Sequence, residues 1–153
     1  MLMNLHGAAH HGVSIEDYYK NPKLVAEAQL HFQKTLGNDV VHNFHYAGAE
    51  IEAFGGSVVF RNDGPPNAGA PFIEDYKQID TLKVPDLSAC PQIQNILEVT
   101  RLLAKDVSGE VLIVGVVMSP YSLPVMQLGF EKYLILKNTD KARFEKLMDI
   151  NKQ

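Results

Sequence analysis

Val111-Leu112-Ile113-Val114-Gly115-Val116-Val117 runs directly into Met118-Ser119-Pro120-Tyr121-Ser122-Leu123. Apart from Gly115, every residue of the first stretch is a branched aliphatic. A strand with one wet face would alternate apolar and polar residues. A near-continuous run is the pattern of a parallel strand buried on both faces. Met118-Ser119-Pro120 breaks the run, and a helix is expected from about Ser122 to Leu136. Strand, turn and helix in this order form one step of a parallel α/β fold.

Reading outward from that step gives more of the same. Upstream, Pro91 stands where a helix starts, and Ile93, Ile96, Leu97, Thr100, Leu103 and Ala104 supply an apolar face. Asp39 to Phe44 reads as a short strand, and Ala47 to Phe54 as a helix closed by Gly55-Gly56. Ser57 to Phe60 is a strand outside the main sheet, and Asp63-Gly64-Pro65-Pro66 is a turn signal. Residues 67 to 90 are loop-like, with a helical stretch near Ile73 to Leu82. Nearer the start, Asn21-Pro22 opens a helix that Gly37 closes, and Ser14 with Asp17 marks another helix start. Met1 to Leu5 is an apolar run taken as the first strand, followed by a loop, His6 to Gly12. Downstream, Asp140 caps a last helix over Lys141 to Ile150. The alternation predicts an α/β fold, parallel strands with crossover helices, in a single domain over residues 1–153.

The bulk properties exclude several function classes. The chain has 153 residues and a net charge of -4, with lysines and arginines scattered, so no nucleic-acid surface is expected. No apolar run is long enough to span a bilayer. The single cysteine, Cys90, cannot form an internal disulfide or a paired-cysteine metal site, which points to a reducing cytoplasm.

In parallel α/β folds, ligand sites gather at the C-terminal ends of strands. Three places qualify: His6, His10 and His11 after the first strand; His42, Asn43, His45 and Tyr46 after the second; Met118, Ser119 and Tyr121 after the run at 111–117. All six histidines fall within the first 45 residues. Their spacing matches no zinc signature, so no metal site is assigned within the chain. Cys90 has no histidine placed to activate it and is read as inert.

Three stretches taken together resemble the uroporphyrinogen decarboxylase superfamily. They are Gly37-Asn38-Asp39-Val40-Val41 with Ala49-Glu50-Ile51-Glu52-Ala53-Phe54-Gly55; Asp63-Gly64-Pro65-Pro66 with Pro71-Phe72-Ile73 and Leu82-Lys83-Val84-Pro85-Asp86; and Val114 to Leu123 with Leu128-Gly129-Phe130-Glu131-Lys132-Tyr133-Leu134. The resemblance implies a partial (β/α)8 TIM barrel, the N-terminal half, ending after the third barrel strand and its helices. A closed barrel typically takes about 250 residues. The implied half barrel would leave open sheet edges and an apolar inner face, and would self-associate or await a missing C-terminal half.

Within the superfamily, the decarboxylases of tetrapyrrole synthesis hold substrate carboxylates with an arginine-rich loop after strand one. The corresponding stretch here, His6 to His11, has no arginine. Their aspartate after strand two falls near Tyr46, and their tyrosine after the third turn falls near Met126. The methylcobamide:coenzyme M methyltransferases are the nearer branch, through Glu50-Ile51-Glu52-Ala53-Phe54-Gly55. That resemblance implies a corrinoid and a zinc ion for the full-length protein, the zinc held by residues outside this chain.

The expected function is thus corrinoid-dependent methyl transfer by the parent enzyme, with the isolated chain inactive. The alternatives are a tetrapyrrole decarboxylase and a non-catalytic binding or assembly module. The expected ligand is a small molecule, a corrinoid or a tetrapyrrole. The expected pocket residues are His6, His10, His45, Tyr46, Glu50, Ser119 and Tyr121. Each has a plainer reading: Glu50 as an ion-pair partner, Ser119 as a helix cap, Tyr121 as packing between layers.

Overall fold

The computed structural model describes residues 4–43, 46–107, 109 and 111–153, with the backbone alone for Asn4 and Leu5. Helix α1 is Asn4–His11, α2 is Ile15–Lys20 and α3 is Pro22–Leu36. The expected first strand is not there: its described residues, Asn4 and Leu5, open α1, and Met1 to Met3 lie outside the described residues. The segment His6 to His11, expected as a loop, is helical. A five-residue apolar run fits either structure, and tertiary packing decides. Ala8 is buried, and a Cβ on Gly7 would lie 2.1 Å from the Tyr18 hydroxyl, so the bare glycine lets α1 close on α2.

The caps form as expected. Ser14 Oγ accepts the Asp17 amide at 3.0 Å. Asn21 Oδ1 accepts the amides of Lys23 and Leu24, with Pro22 at the first helical position. Gly37, at φ 66°, ends α3 in the left-handed conformation that favours glycine.

Strand β1, Val40–His42, is followed by α4, Ala49–Ala53, and by the hairpin strands β2, Val58–Arg61, and β3, Gly64–Ala68. The hairpin is a separate antiparallel pair, as anticipated for Ser57 to Phe60. Its turn is tighter than expected: Arg61 pairs with Gly64, and Pro65 and Pro66 belong to β3. Proline is tolerated there because an edge strand need not donate at every residue. Helix α5, Pro91–Asp106, then leads to β4, Leu112–Val114. Its buried face is Ile96, Val99 and Leu103, whereas Leu97 and Ala104, expected on that face, are exposed.

β1 and β4 pair in parallel, with Val40 opposite Leu112, Val41 opposite Ile113 and His42 opposite Val114. The chain between them crosses over through α4, the hairpin and α5, the connection a parallel pair requires. Among the described residues there are two parallel strands rather than three, because the first expected strand is α1. The architecture is a partial barrel, with helices packed on one face of the pair. Val41 joins the core built by α1 to α5, with Ile113 packed against it. Among the described residues nothing covers the opposite face: Leu112 is 67% exposed and its strand partner Val40 37%. Within the described residues the strand is buried on its helix side, and its other side is the open apolar face expected of a half barrel.

A second core holds the C-terminal helices. It joins Ile73 and Ile79, the latter in a 3-10 turn over Tyr76–Asp80, to Leu128, Leu136 and Leu147. The single helix expected from Ser122 to Leu136 is two, α6 at Ser122–Leu128 and α7 at Phe130–Thr139. Gly129, at φ 81°, makes the break, and a left-handed residue cannot sit inside a helix. Asp140 accepts the Arg143 amide and starts α8, Lys141–Ile150. The wholly buried Gln127 exchanges amide hydrogen bonds with Asn151, and its main-chain oxygen accepts the amides of Phe72 and Ile73. No described helix is long and apolar enough to cross a membrane.

Candidate functional site

The C-terminal ends of β1 and β4 meet at Asn43. Its amide donates to the Val114 carbonyl at 3.1 Å, the last main-chain bond of the pair described on that side. Its side-chain oxygen accepts the Val116 amide at 3.2 Å. Asn43 is buried, and a side chain that both donates and accepts is suited to that place.

Helix α4 starts just beyond. Gly48 caps it without a side chain, and a Cβ there would lie 2.3 Å from Val58 Cγ2, so the hairpin needs the glycine. Glu50 sits in the first turn, where an acid suits the positive helix end. Its Oε1 accepts the Met118 amide at 2.9 Å. Glu50 and the segment after β4 are thus brought together.

Tyr46 is buried, and its hydroxyl donates to Glu52 Oε2 at 2.5 Å. The Tyr19 ring meets it edge-on at 5.4 Å. Burial, with the Glu52 hydrogen bond second, raises the phenol far above its ordinary range. Tyr46 therefore stays protonated and committed to Glu52, a structural donor beneath the rim.

Ser119 is exposed, and its hydroxyl accepts the Tyr121 amide at 3.2 Å, while its carbonyl accepts the amides of Ser122 and Leu123. These bonds hold the turn that leads into α6, whose cap residue is Tyr121. Tyr121 is 64% exposed and lines a shallow cavity of about 360 Å³ with Phe144, Glu145, Met148, Asp149 and Lys152. It does not pack between layers.

His6 and His10 are on α1, not at a strand end. His10 stacks on His31 of α3, with ring centroids 4.2 Å apart, and His6 meets Phe32 at 6.4 Å. His11 Nε2 lies 3.1 Å from the Leu24 carbonyl. These rings tie α1 to α3. His45 lies outside the described residues. Burial holds the His42 imidazole below its ordinary value, and the His42 amide donates to Gln29 Oε1 of α3 at 3.2 Å. The described residues contain no group of three or more His, Cys, Asp or Glu able to hold a metal ion.

The sequence places Asn43 at the end of the second strand but leaves it out of the expected pocket residues. The available signal was an amide side chain directly after a short apolar strand, a place where an unpaired main chain needs a partner.

The model of the family described as Uroporphyrinogen decarboxylase (URO-D) matches residues 2–153. No curated protein matches the chain. Among solved structures, a methyltransferase from Methanosarcina mazei superimposes with a TM-score of 0.83 at 21% identity, over 96% of this chain and 44% of that one. The chain thus spans less than half the length of that structure, and at this identity the likeness is one of fold. With a family match across nearly its whole length, the chain belongs to the uroporphyrinogen decarboxylase family.

Proposed function

We propose that the protein takes part in methyl transfer with a corrinoid as methyl carrier, and that the segment after β4, with α4, forms part of the wall against which the corrinoid lies. The observation that carries this reading is the chemistry of the rim. Val116, Val117 and Tyr121 present apolar and aromatic surface. A large, flat, mostly apolar macrocycle suits such a surface. A decarboxylase acting on a polycarboxylate tetrapyrrole needs cations to hold the carboxylates. The three arginines lie elsewhere: Arg61 in the hairpin, Arg101 on α5, and Arg143 on α8 bound to Asp80 and Asp140. The fold likeness to a protein named a methyltransferase points the same way.

The zinc ion implied by resemblance finds no ligand cluster among the described residues, so no step is derived through it. We place the activity in the cytoplasm, in keeping with a single free thiol, Cys90. The test is equilibrium binding of hydroxocobalamin to the 153-residue chain, followed by its visible spectrum. Saturable binding in the micromolar range is expected. Absence of binding, with saturable binding of a polycarboxylate porphyrin instead, would replace this reading with the decarboxylase one.

A further inference from the structure

Resting on the corrinoid reading of this rim, we propose that Asn43 and Glu50 are positioning residues that carry the β1–β4 ladder past the end of β1 and fix the segment from Val116 to Tyr121. In an extended chain, every second residue turns the same way. On the side of β4 that faces β1, the Leu112 amide donates to the Asp39 carbonyl at 2.9 Å. Further along, on the same alternation, the Val116 amide donates to Asn43 Oδ1 at 3.2 Å and the Met118 amide to Glu50 Oε1 at 2.9 Å. Main-chain pairing of the two strands ends at His42 and Val114, apart from the Asn43 amide. Beyond that point, two side chains receive the amides that a longer β1 would have received through its carbonyls.

The substitution changes what the rim depends on. A ladder of main-chain bonds is insensitive to side-chain identity. This one is held by an amide at the end of β1 and by a carboxylate from α4. The Glu50 bond is charge-assisted and so the stronger of the two kinds. Ser119 and Tyr121 follow Met118 directly, and the Ser119 hydroxyl fixes the Tyr121 amide in turn. The placement of the exposed Tyr121 ring therefore traces back, bond by bond, to Glu50.

The test is amide hydrogen exchange by NMR on the 153-residue chain, with Glu50→Ala, Glu50→Gln, Asn43→Ala and Asn43→Asp. Glu50→Ala is expected to speed exchange at Met118 by roughly tenfold, one lost hydrogen bond, with Leu112 unchanged. Glu50→Gln keeps a carbonyl acceptor and returns Met118 close to the wild-type rate. Asn43→Ala acts in the same way at Val116, and Asn43→Asp restores it. Unchanged exchange at Met118 and Val116 would overturn the assignment. So would equal acceleration at Leu112, which marks general loosening of the sheet. Hydroxocobalamin binding supplies the second readout: Glu50→Ala is expected to weaken it about tenfold and Glu50→Gln to leave it near wild type. Equal affinity in all variants overturns the rim role. A wild-type chain that binds no corrinoid sinks the corrinoid reading, while the exchange rates still decide whether the two side chains position the rim.

Discussion

Val41 and Ile113 turn toward α3 and α5, where Val41 is wholly buried, whereas Leu112, one residue from Ile113, is 67% exposed on the other face. The two faces belong to the same strands and have the same kind of residue. What differs is the neighbour. On the helix side the amphipathic faces of α3 and α5 close over the strands. On the opposite side the described residues provide no second layer. An apolar run thus records the environment a strand is suited to, and the structure records which half of that environment these residues build.

The sharpest way to break this comparison is to truncate on each face. Leu103→Ala, at a wholly buried position of α5, is expected to cost about 2–5 kcal/mol in urea unfolding. Leu112→Ala on the open face is expected to cost no more than about 0.5 kcal/mol, in the range of surface substitutions. Similar losses from the two would mean that the open face is covered in solution.

The strand edges differ as well. Gln29 caps the outer edge of β1 by accepting the His42 amide. Gln29→Ala leaves that amide without its acceptor and is expected to cost about 1–3 kcal/mol. A loss of a few tenths of a kcal/mol would show that water replaces the cap.

The second core offers a comparison by pH. Arg143, through its hydrogen bonds, holds Asp80 and Asp140 below the ordinary aspartate value of 3.8. For acids with a depressed folded value, the contribution is complete above the unfolded value and is lost as pH falls below it. Protection of the 3-10 turn and α8 should therefore decline below about pH 4, the range of unperturbed aspartate. Arg143→Ala should remove the part of the decline that Asp80 carries and leave much of the Asp140 part, because the residue 143 amide still donates to Asp140. An unchanged acid profile in the variant would remove the clasp as its cause. The smallest effect on stability is expected from Leu112→Lys with Val117→Lys, within about 0.5 kcal/mol. The same pair should lower the self-association expected of an exposed apolar face, read as molar mass by light scattering. Unchanged association would place the contact elsewhere.

Much of the fold was legible because local chemistry specified it. Ser14, Asn21-Pro22, Gly37, Pro91 and Asp140 each mark a helix boundary through a cap or a fixed dihedral, and these signals need no tertiary information. Asn4 and Leu5 carried no such signal, and they open α1, which packs on α2. Gly129 was passed over because an apolar pattern continued on both sides of it. At the candidate site, Glu50, Ser119 and Tyr121 were expected in one pocket through the family resemblance. Asn43 was legible as a strand-end residue but not as the acceptor of the Val116 amide, since that role exists only when two strands distant in sequence lie side by side. His6 and His10 looked like site residues only under the assumption of a strand before them.

Pro65 and Pro66, side by side in β3, give that hairpin a property beyond its shape. Neither can donate a main-chain hydrogen bond, so whichever way the pair faces, β3 is a poor template for another chain. On β3 the two prolines oppose edge-to-edge pairing by composition alone. The exposed stretch through Leu112, Val116 and Val117 carries no proline and no charge to do the same. If this chain self-associates, the contact is expected through the stretch from Leu112 to Val117 rather than through β3.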